Sequence, residues 1–209
     1  MLRFSLLGIP VAVQPWFWVT MAILGGGGSA NSKDALMRLV LFVGAGFVSI
    51  LVHEMGHALT GRAYGARVAV VLEAFGGYAQ FGGVAFSRVQ HFLVTAAGPA
   101  LQALLGVAIL LAVPDLWRAP GEAGYFWRSL AVISLFWALL NLLPVLPLDG
   151  GQMLHAVMGP ARVKITLWIS IGTAVVAALL VFKLFGSVLF PLFLGFFAYR
   201  SWQELKERY

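Results

Sequence analysis

Residues 35–59 read ALMRLVLFVGAGFVSILVHEMGHAL, a long apolar run that ends in a group of polar residues. At about 1.5 Å per residue, a helix over this run crosses a hydrocarbon core of about 30 Å. Near its end lies HEMGH, residues 53–57. Because histidines four positions apart project from one face of a helix, His53 and His57 can bind a single metal ion. Polar groups inside an apolar run are costly and usually functional, so the run predicts both a membrane span and a metal site.

The glutamate that follows the first histidine favours a hydrolytic metal site over a simple binding site. Glu54 can hold and deprotonate a water without ligating the metal, whereas a pure binding site needs no general base beside its ligands. His53-Glu54-x-x-His57 is the pattern that zinc hydrolases carry on a helix. We therefore expect one catalytic Zn²⁺ ion, with Glu54 as a catalytic residue.

Composition independently predicts a polytopic membrane protein. Of the 209 residues, 61% are hydrophobic and 11% are charged, and the mean hydropathy is +0.91. Soluble domains are nearer to about 45–50% apolar and about 25% charged. The net charge of +6 comes from basic residues at the ends of apolar segments, which fits lipid head groups and argues against nucleic acid as a partner. Since the chain has no cysteine, a metal site must use histidine, aspartate or glutamate.

The hydrophobic pattern predicts an all-α polytopic membrane protein in a single domain over residues 1–209. About six transmembrane helices are expected, at about residues 15–24, 35–59, 90–113, 125–143, 163–184 and 187–202. Residues 66–86 break this pattern with a β-branched stretch and two glycine pairs. They predict a small membrane-associated β-hairpin or sheet between the second and third helices. Its role is open: an exposed edge can pair with an unwound substrate segment, or the hairpin can simply cap the helices.

Residues 141–151, NLLPVLPLDGG, end the fourth span and bring a carboxylate into an apolar stretch. Two prolines three residues apart prevent a regular helix, so unwound backbone is expected to carry Asn141 and Asp149 into the interior. A catalytic zinc keeps three protein ligands, and Asp149 is the best candidate for the third. The alternatives are two histidines near helix ends and two acids in connectors: His155, His91, Glu73 and Glu122.

In their order and separation, these motifs resemble the site-2 protease family of intramembrane zinc metalloproteases. The resemblance rests on His53-Glu54-x-x-His57, on Ala-Gly-Pro at residues 97–99 in the third span, and on residues 141–151. It covers most of the chain and places the catalytic core at about residues 35–158. With no room for a PDZ-like or nucleotide-sensing domain, the chain is expected to be a minimal, core-only member.

The resemblance also implies a role for each motif residue. His53, His57 and Asp149 would be the zinc ligands, Glu54 the catalytic base, and Asn141 a polar group in the site. One position departs from the family pattern. Members often carry asparagine three residues after the proline of the Gly-Pro motif, whereas this chain has Gln102, a longer amide.

The function that the resemblance implies is hydrolysis of peptide bonds within or near transmembrane segments of membrane-protein substrates, as in regulated intramembrane proteolysis. The implied partner is a single-span protein in the lipid bilayer, such as an anti-sigma factor, a signalling precursor or a signal-peptide remnant. The alternative is a non-proteolytic membrane zinc-binding or metal-handling protein with the same ligands. Glu54 argues against that alternative.

Six spans would place both termini on one side of the membrane. That side holds more lysine and arginine than the other, which predicts cytoplasmic termini in a bacterial or archaeal cell membrane. HEMGH and Asp149 then both fall toward the cytoplasmic half of the bilayer. Their agreement in depth is a reason to pair them in one site.

Overall fold

The computed structural model describes residues 1–74, 76–186 and 188–208. The helices are α1 (Pro15–Leu24), α2 (Lys33–Ala63), α3 (Arg88–Ala112), α4 (Gly121–Asn141), α5 (Asp149–Met158), α6 (Val163–Phe185) and α7 (Leu189–Arg208). The strands are β1 (Leu2–Leu6), β2 (Ile9–Val13), β3 (Arg67–Glu73) and β4 (Gly76–Gly82). Phe75 in the predicted hairpin, Ser187 at the predicted start of the sixth span and Tyr209 at the end of the predicted domain lie outside the described residues.

Four helices in the described ranges are long and apolar enough to cross a membrane. They are Lys33–Ala63, Arg88–Ala112, Gly121–Asn141 and Pro160–Leu184, which correspond to the second to fifth predicted spans. The chain is therefore a mostly helical membrane protein. With ten residues, α1 extends only about 15 Å, roughly half of a hydrocarbon core. The last turns of α7 carry the charged sequence QELKER, which lowers its hydropathy.

The four strands form one sheet in the order β1-β2-β3-β4. Two antiparallel hairpins, β1–β2 and β3–β4, are joined by parallel pairing of β2 with β3. The sheet thus extends beyond the hairpin or sheet expected over residues 66–86, because the first 14 residues also contribute two strands. Pairing with β2 satisfies the backbone groups of one edge of β3, which is required near an apolar environment.

Helix α2 begins with a capped turn and packs against the sheet with its second half. The Ser32 hydroxyl accepts a hydrogen bond from the Ala35 amide at 3.1 Å, as is typical of a helix N-cap. At the other end Gly65, with φ +88°, turns the chain into β3. The buried core formed by α1, α2 and the sheet contains Ile9, Val11, Val13, Phe17, Met21, Ile50, Met55, Ala58, Val70 and Leu72.

The backbone separates into two compact units. Unit 1 contains Met1–Ala85 and Ala97–Leu139, and unit 2 contains Phe86–Ala96 and the chain from Leu140 onward. The core of unit 1 lies around α2, as described above. In unit 2, a smaller core packs Val145 against α6 and α7, with Ala174, Phe197 and Ala198 among its buried residues.

Candidate metal centre

His53 and His57 lie on the buried face of α2, one turn apart. Both side chains are less than a tenth exposed. Their Nε2 atoms are 3.1 Å apart, and the ring centroids are separated by 4.8 Å. The rings are nearly perpendicular, at 81°. The fixed period of the helix therefore brings two imidazole nitrogens to one point, as the spacing of the motif predicts.

The distance between these nitrogens fits a shared metal ion. Two imidazoles on a tetrahedral zinc, each at about 2.0–2.1 Å, have their nitrogens roughly 3.3 Å apart. The observed 3.1 Å separation requires only a small adjustment to reach that value. Zinc is one of the common biological metals that neutral imidazole binds well. The two histidines thus supply two ligand atoms of a suitable kind and spacing.

A chain of buried hydrogen bonds reaches His53 from the opposite side of its ring. The His53 Nδ1 atom lies 2.8 Å from Gln102 Oε1, and Gln102 Nε2 donates to the Ser49 hydroxyl at 2.9 Å. That hydroxyl is in turn 2.9 Å from the Ser134 hydroxyl. Ser49, Gln102 and Ser134 are fully buried. We call these four residues (His53, Gln102, Ser49 and Ser134) the His53 network.

Two glycines allow α2 and α3 to approach closely beside the histidines. A Cβ added at Gly56 would collide with the Ala97 carbonyl. At Gly98, a Cβ would collide with the His57 ring at Nε2, the nitrogen that faces His53. The Ala-Gly-Pro motif of the third span therefore has a steric role, because only a glycine leaves space for the imidazole.

Glu54 is also buried, with 3% of its surface exposed. It lies against the start of β4, where a Cβ added at Gly77 would be 2.7 Å from the Glu54 Cγ atom. The Glu54 side chain therefore packs directly on Gly77, where only a glycine leaves space for it. Within unit 1, the structure thus brings His53, Glu54 and His57 together.

Asp149 and Asn141 belong to unit 2. Asp149 is the first residue of α5 and is 8% exposed, while Asn141 is the half-buried last residue of α4. The two glycines after Asp149 are required by packing: a Cβ at Gly150 would collide with the Leu142 carbonyl, and one at Gly151 with the backbone at Leu146. The first turn of α5 therefore rests on the proline-broken segment. The ligand role of Asp149 and the polar role of Asn141 stay predictions.

The four alternative ligands lie in different surroundings. His155 is on α5, and its Nδ1 atom is buried with no hydrogen-bond partner among the described residues. His91 lies in the first turn of α3 and is half-buried. Glu73 at the end of β3 and Glu122 in the first turn of α4 are exposed. Exposed carboxylates have no desolvation cost to offset, so burial favours Asp149 among the acids considered.

Ser49 and Ser134 were not anticipated from the sequence. A signal for Ser49 existed, because it precedes His53 by four positions in an apolar helix and so lies on the same face. Ser134 offered no such signal. Its partner lies 85 positions earlier in the chain, and only the packing of α4 brings the two hydroxyls together.

Comparison with known proteins identifies the family. Residues 118–182 match the model of peptidase family M50. The fold matches a solved site-2 protease from Methanocaldococcus jannaschii with a TM-score of 0.66 and 25% identity, covering 98% of this chain and 94% of that one. The chain belongs to the site-2 protease family. The motifs on which the sequence resemblance rested thus occur in a chain that shares the family's fold.

Two curated relatives of this site-2 protease family member are named as zinc metalloproteases. A candidate zinc metalloprotease of Synechocystis sp. is 31% identical over 169 residues, covering 74% of this chain and 43% of the relative. A zinc metalloprotease of Methanocaldococcus jannaschii is 26% identical over 156 residues, covering 74% of this chain and 44% of the relative. The chain thus spans less than half the length of these relatives. Their names and the M50 family imply a zinc ion, in agreement with the paired imidazoles.

Proposed function

We propose that this chain is an intramembrane zinc metalloprotease that hydrolyses peptide bonds within or near transmembrane segments of membrane proteins. The observation that carries the proposal is the buried group of His53, Glu54 and His57 on a helix long enough to cross a membrane. A histidine pair with an adjacent carboxylate inside an apolar helix is costly to bury and suits metal-dependent hydrolysis. The single domain over residues 1–209, with its catalytic core at about residues 35–158, is part of this proposal.

The proposed ligands of one Zn²⁺ ion are His53, His57 and Asp149. Support for Asp149 comes from its burial at the start of α5 and from the absence of cysteine in the sequence. Two imidazoles and one carboxylate form a set that catalytic zinc sites use, with the fourth position left for water or substrate. His155 and His91 remain the weaker alternatives.

In the proposed mechanism, the residues of the chain position and move protons. When bound, zinc supplies a Lewis acid and lowers the pKa of a coordinated water. Glu54 takes a proton from the attacking water and delivers it to the leaving amine nitrogen. Because Glu54 is buried, bulk water has little access to its carboxylate. The side-chain amide of Asn141 donates a hydrogen bond to the developing negative charge on the peptide oxygen.

The proposed substrate is a single-span membrane protein, such as an anti-sigma factor, a signalling precursor or a signal-peptide remnant. An intact substrate helix hides its peptide bonds in hydrogen bonds, so it must unwind before hydrolysis. In the six-span arrangement predicted from the sequence, both termini would lie on one side of the membrane, and the excess of lysine and arginine there would make it the cytoplasmic side of a bacterial or archaeal cell. The metal site would then lie toward the cytoplasmic half of the membrane.

Cleavage of tagged single-span membrane proteins by the purified chain and by Glu54→Gln tests this function. Both proteins are compared in detergent at equal zinc content. Because a general base contributes about 100- to 10,000-fold, cleavage by Glu54→Gln should fall by about that factor. Equal cleavage by both would contradict the role of Glu54. A zinc-loaded wild type that cleaves no substrate in a broad panel would favour the metal-handling alternative.

A further inference from the structure

We propose that Gln102 is a positioning residue for the metal centre. Its side chain holds His53 in the tautomer and orientation that present Nε2 to the metal. This inference rests on the proposed metal-binding role of His53. The observation that supports it is the His53 network. Three side chains with no exposed surface, Ser134 of α4, Ser49 of α2 and Gln102 of α3, form a series of hydrogen bonds that ends at a ring nitrogen of His53.

The orientation of the Gln102 amide follows from its partners. One end of the amide lies 3.4 Å from the backbone carbonyl of Ser49 and 2.9 Å from the Ser49 hydroxyl. A carbonyl oxygen can only accept a hydrogen bond, so this end must be the NH₂ group. The other end, 2.8 Å from His53 Nδ1, is therefore the amide oxygen.

The protonation of His53 follows in turn. An amide oxygen only accepts hydrogen bonds, so His53 Nδ1 must carry the proton and donate. In a neutral imidazole with its proton on Nδ1, the other nitrogen keeps its lone pair. That nitrogen, Nε2, is the atom that lies 3.1 Å from the His57 Nε2 atom. The network thus selects the tautomer that a metal ligand requires.

The network also fixes the direction of the ring. Ser49 and His53 are one turn apart on α2, and Gln102 of α3 bonds to both. The amide therefore bridges one turn of α2, and any rotation of the His53 ring would break a hydrogen bond in a fully buried setting. Since an unsatisfied buried polar group is costly, the packing of α2 on α3 holds the ring in one position.

The decisive measurement is the zinc affinity of purified variants, determined by competition with a chelator and independent of any cleavage. Gln102→Leu removes the acceptor at nearly constant volume and should weaken zinc binding by about 10- to 100-fold. Gln102→Met, unbranched and equally long, gives the same test if the leucine variant folds poorly. Gln102→Glu keeps the acceptor for His53 Nδ1 but loses the donor to the Ser49 carbonyl, so its zinc affinity should be clearly higher than that of Gln102→Leu.

A spectroscopic measurement and a control separate positioning from general loosening. The visible spectrum of the cobalt(II)-substituted protein reports ligand geometry, and it should change in Gln102→Leu but not in Gln102→Glu. The control is Thr166→Val, which removes a buried hydroxyl from α6 without changing volume. It should leave both the zinc affinity and the cobalt spectrum unchanged.

Wild-type zinc affinity and cobalt spectrum in Gln102→Leu would overturn the proposal. So would equal weakening in Gln102→Glu and Gln102→Leu, because an acceptor for His53 Nδ1 would then make no difference to the zinc affinity. Failure of the proposed metal site itself has a different signature. In that case wild type would bind no zinc tightly, or His53→Ala would bind it as tightly as wild type, and the role of Gln102 would fall with it.

Discussion

Each unit contains a series of hydrogen bonds between buried hydroxyl groups. One series ends at a side-chain nitrogen and the other at a backbone amide. In unit 1, the His53 network runs from Ser134 to a ring nitrogen of a proposed metal ligand. In unit 2, the Ser201 hydroxyl lies 3.1 Å from the Ser170 hydroxyl, which accepts a hydrogen bond from the Leu146 amide at 2.7 Å. We call the second chain the Leu146 network.

The contrast shows two uses of the same device. Hydroxyl groups inside apolar helices are tolerated when each has a hydrogen-bond partner. The group at the end of each network determines the structural role of that network. The His53 network orients a side chain, whereas the Leu146 network holds backbone in the segment that the prolines prevent from forming a helix. Disrupting the first should therefore change metal binding, and disrupting the second should change mainly the stability of its segment.

The largest effect on zinc binding is expected at the steric contact between Gly98 and the His57 ring. Gly98→Ala should nearly abolish zinc binding and cleavage, because the new methyl group would occupy the position of the His57 ring. Zinc content after purification measures the effect. The matched control is Gly172→Ala in α6, where an added Cβ meets nothing within 4 Å. Normal zinc content in Gly98→Ala would show that His57 can move without loss of the site.

Substitution of the middle hydroxyl in each network tests the comparison directly. Ser49→Ala removes the nearer of the two acceptors of the Gln102 amide and should weaken zinc binding by about 2- to 10-fold, equivalent to one hydrogen bond of about 0.5–1.5 kcal/mol. Ser170→Ala leaves the Leu146 amide without its hydroxyl acceptor, so it should lower the thermal unfolding temperature at least as much as Ser49→Ala does. Chelator competition and thermal unfolding of the same samples measure both quantities. A larger loss of zinc affinity in Ser170→Ala would reverse the assignment of the two networks.

How far the sequence predicts these features depends on how local they are. The pair His53 and His57 follows from the helical period alone, and the four long apolar helices follow from hydropathy. Parallel pairing of Val11 with Val70 joins segments nearly 60 positions apart, and no local pattern encodes that partner. The local pattern predicts a hairpin or small sheet over residues 66–86, whereas the addition of β1 and β2 depends on this long-range pairing.

The glycines of the site show a second limit. Gly98 and Gly77 are visible in the sequence, but His57 and Glu54, which exclude a side chain at these positions, come from α2, a different element of the fold. Gln102 was noted only as a departure from a family pattern. Its function in the network depends on Ser49 and on the packing of α2 against α3, so the sequence alone could not assign it.

The smallest effects are expected at the outer ends of the two networks. Ser134→Ala and Ser201→Ala each remove one hydroxyl pair and should each lower stability by about 1 kcal/mol, with zinc affinity within two-fold of wild type. The double variant Ser49→Ala/Ser134→Ala tests whether Ser134 affects zinc binding only through Ser49. If the His53 network transmits its effect stepwise, the double variant should bind zinc as weakly as Ser49→Ala alone, because Ser134 acts only through Ser49. An additional loss of zinc affinity in the double variant would mean that Ser134 influences His53 by a second route through the packing of α4.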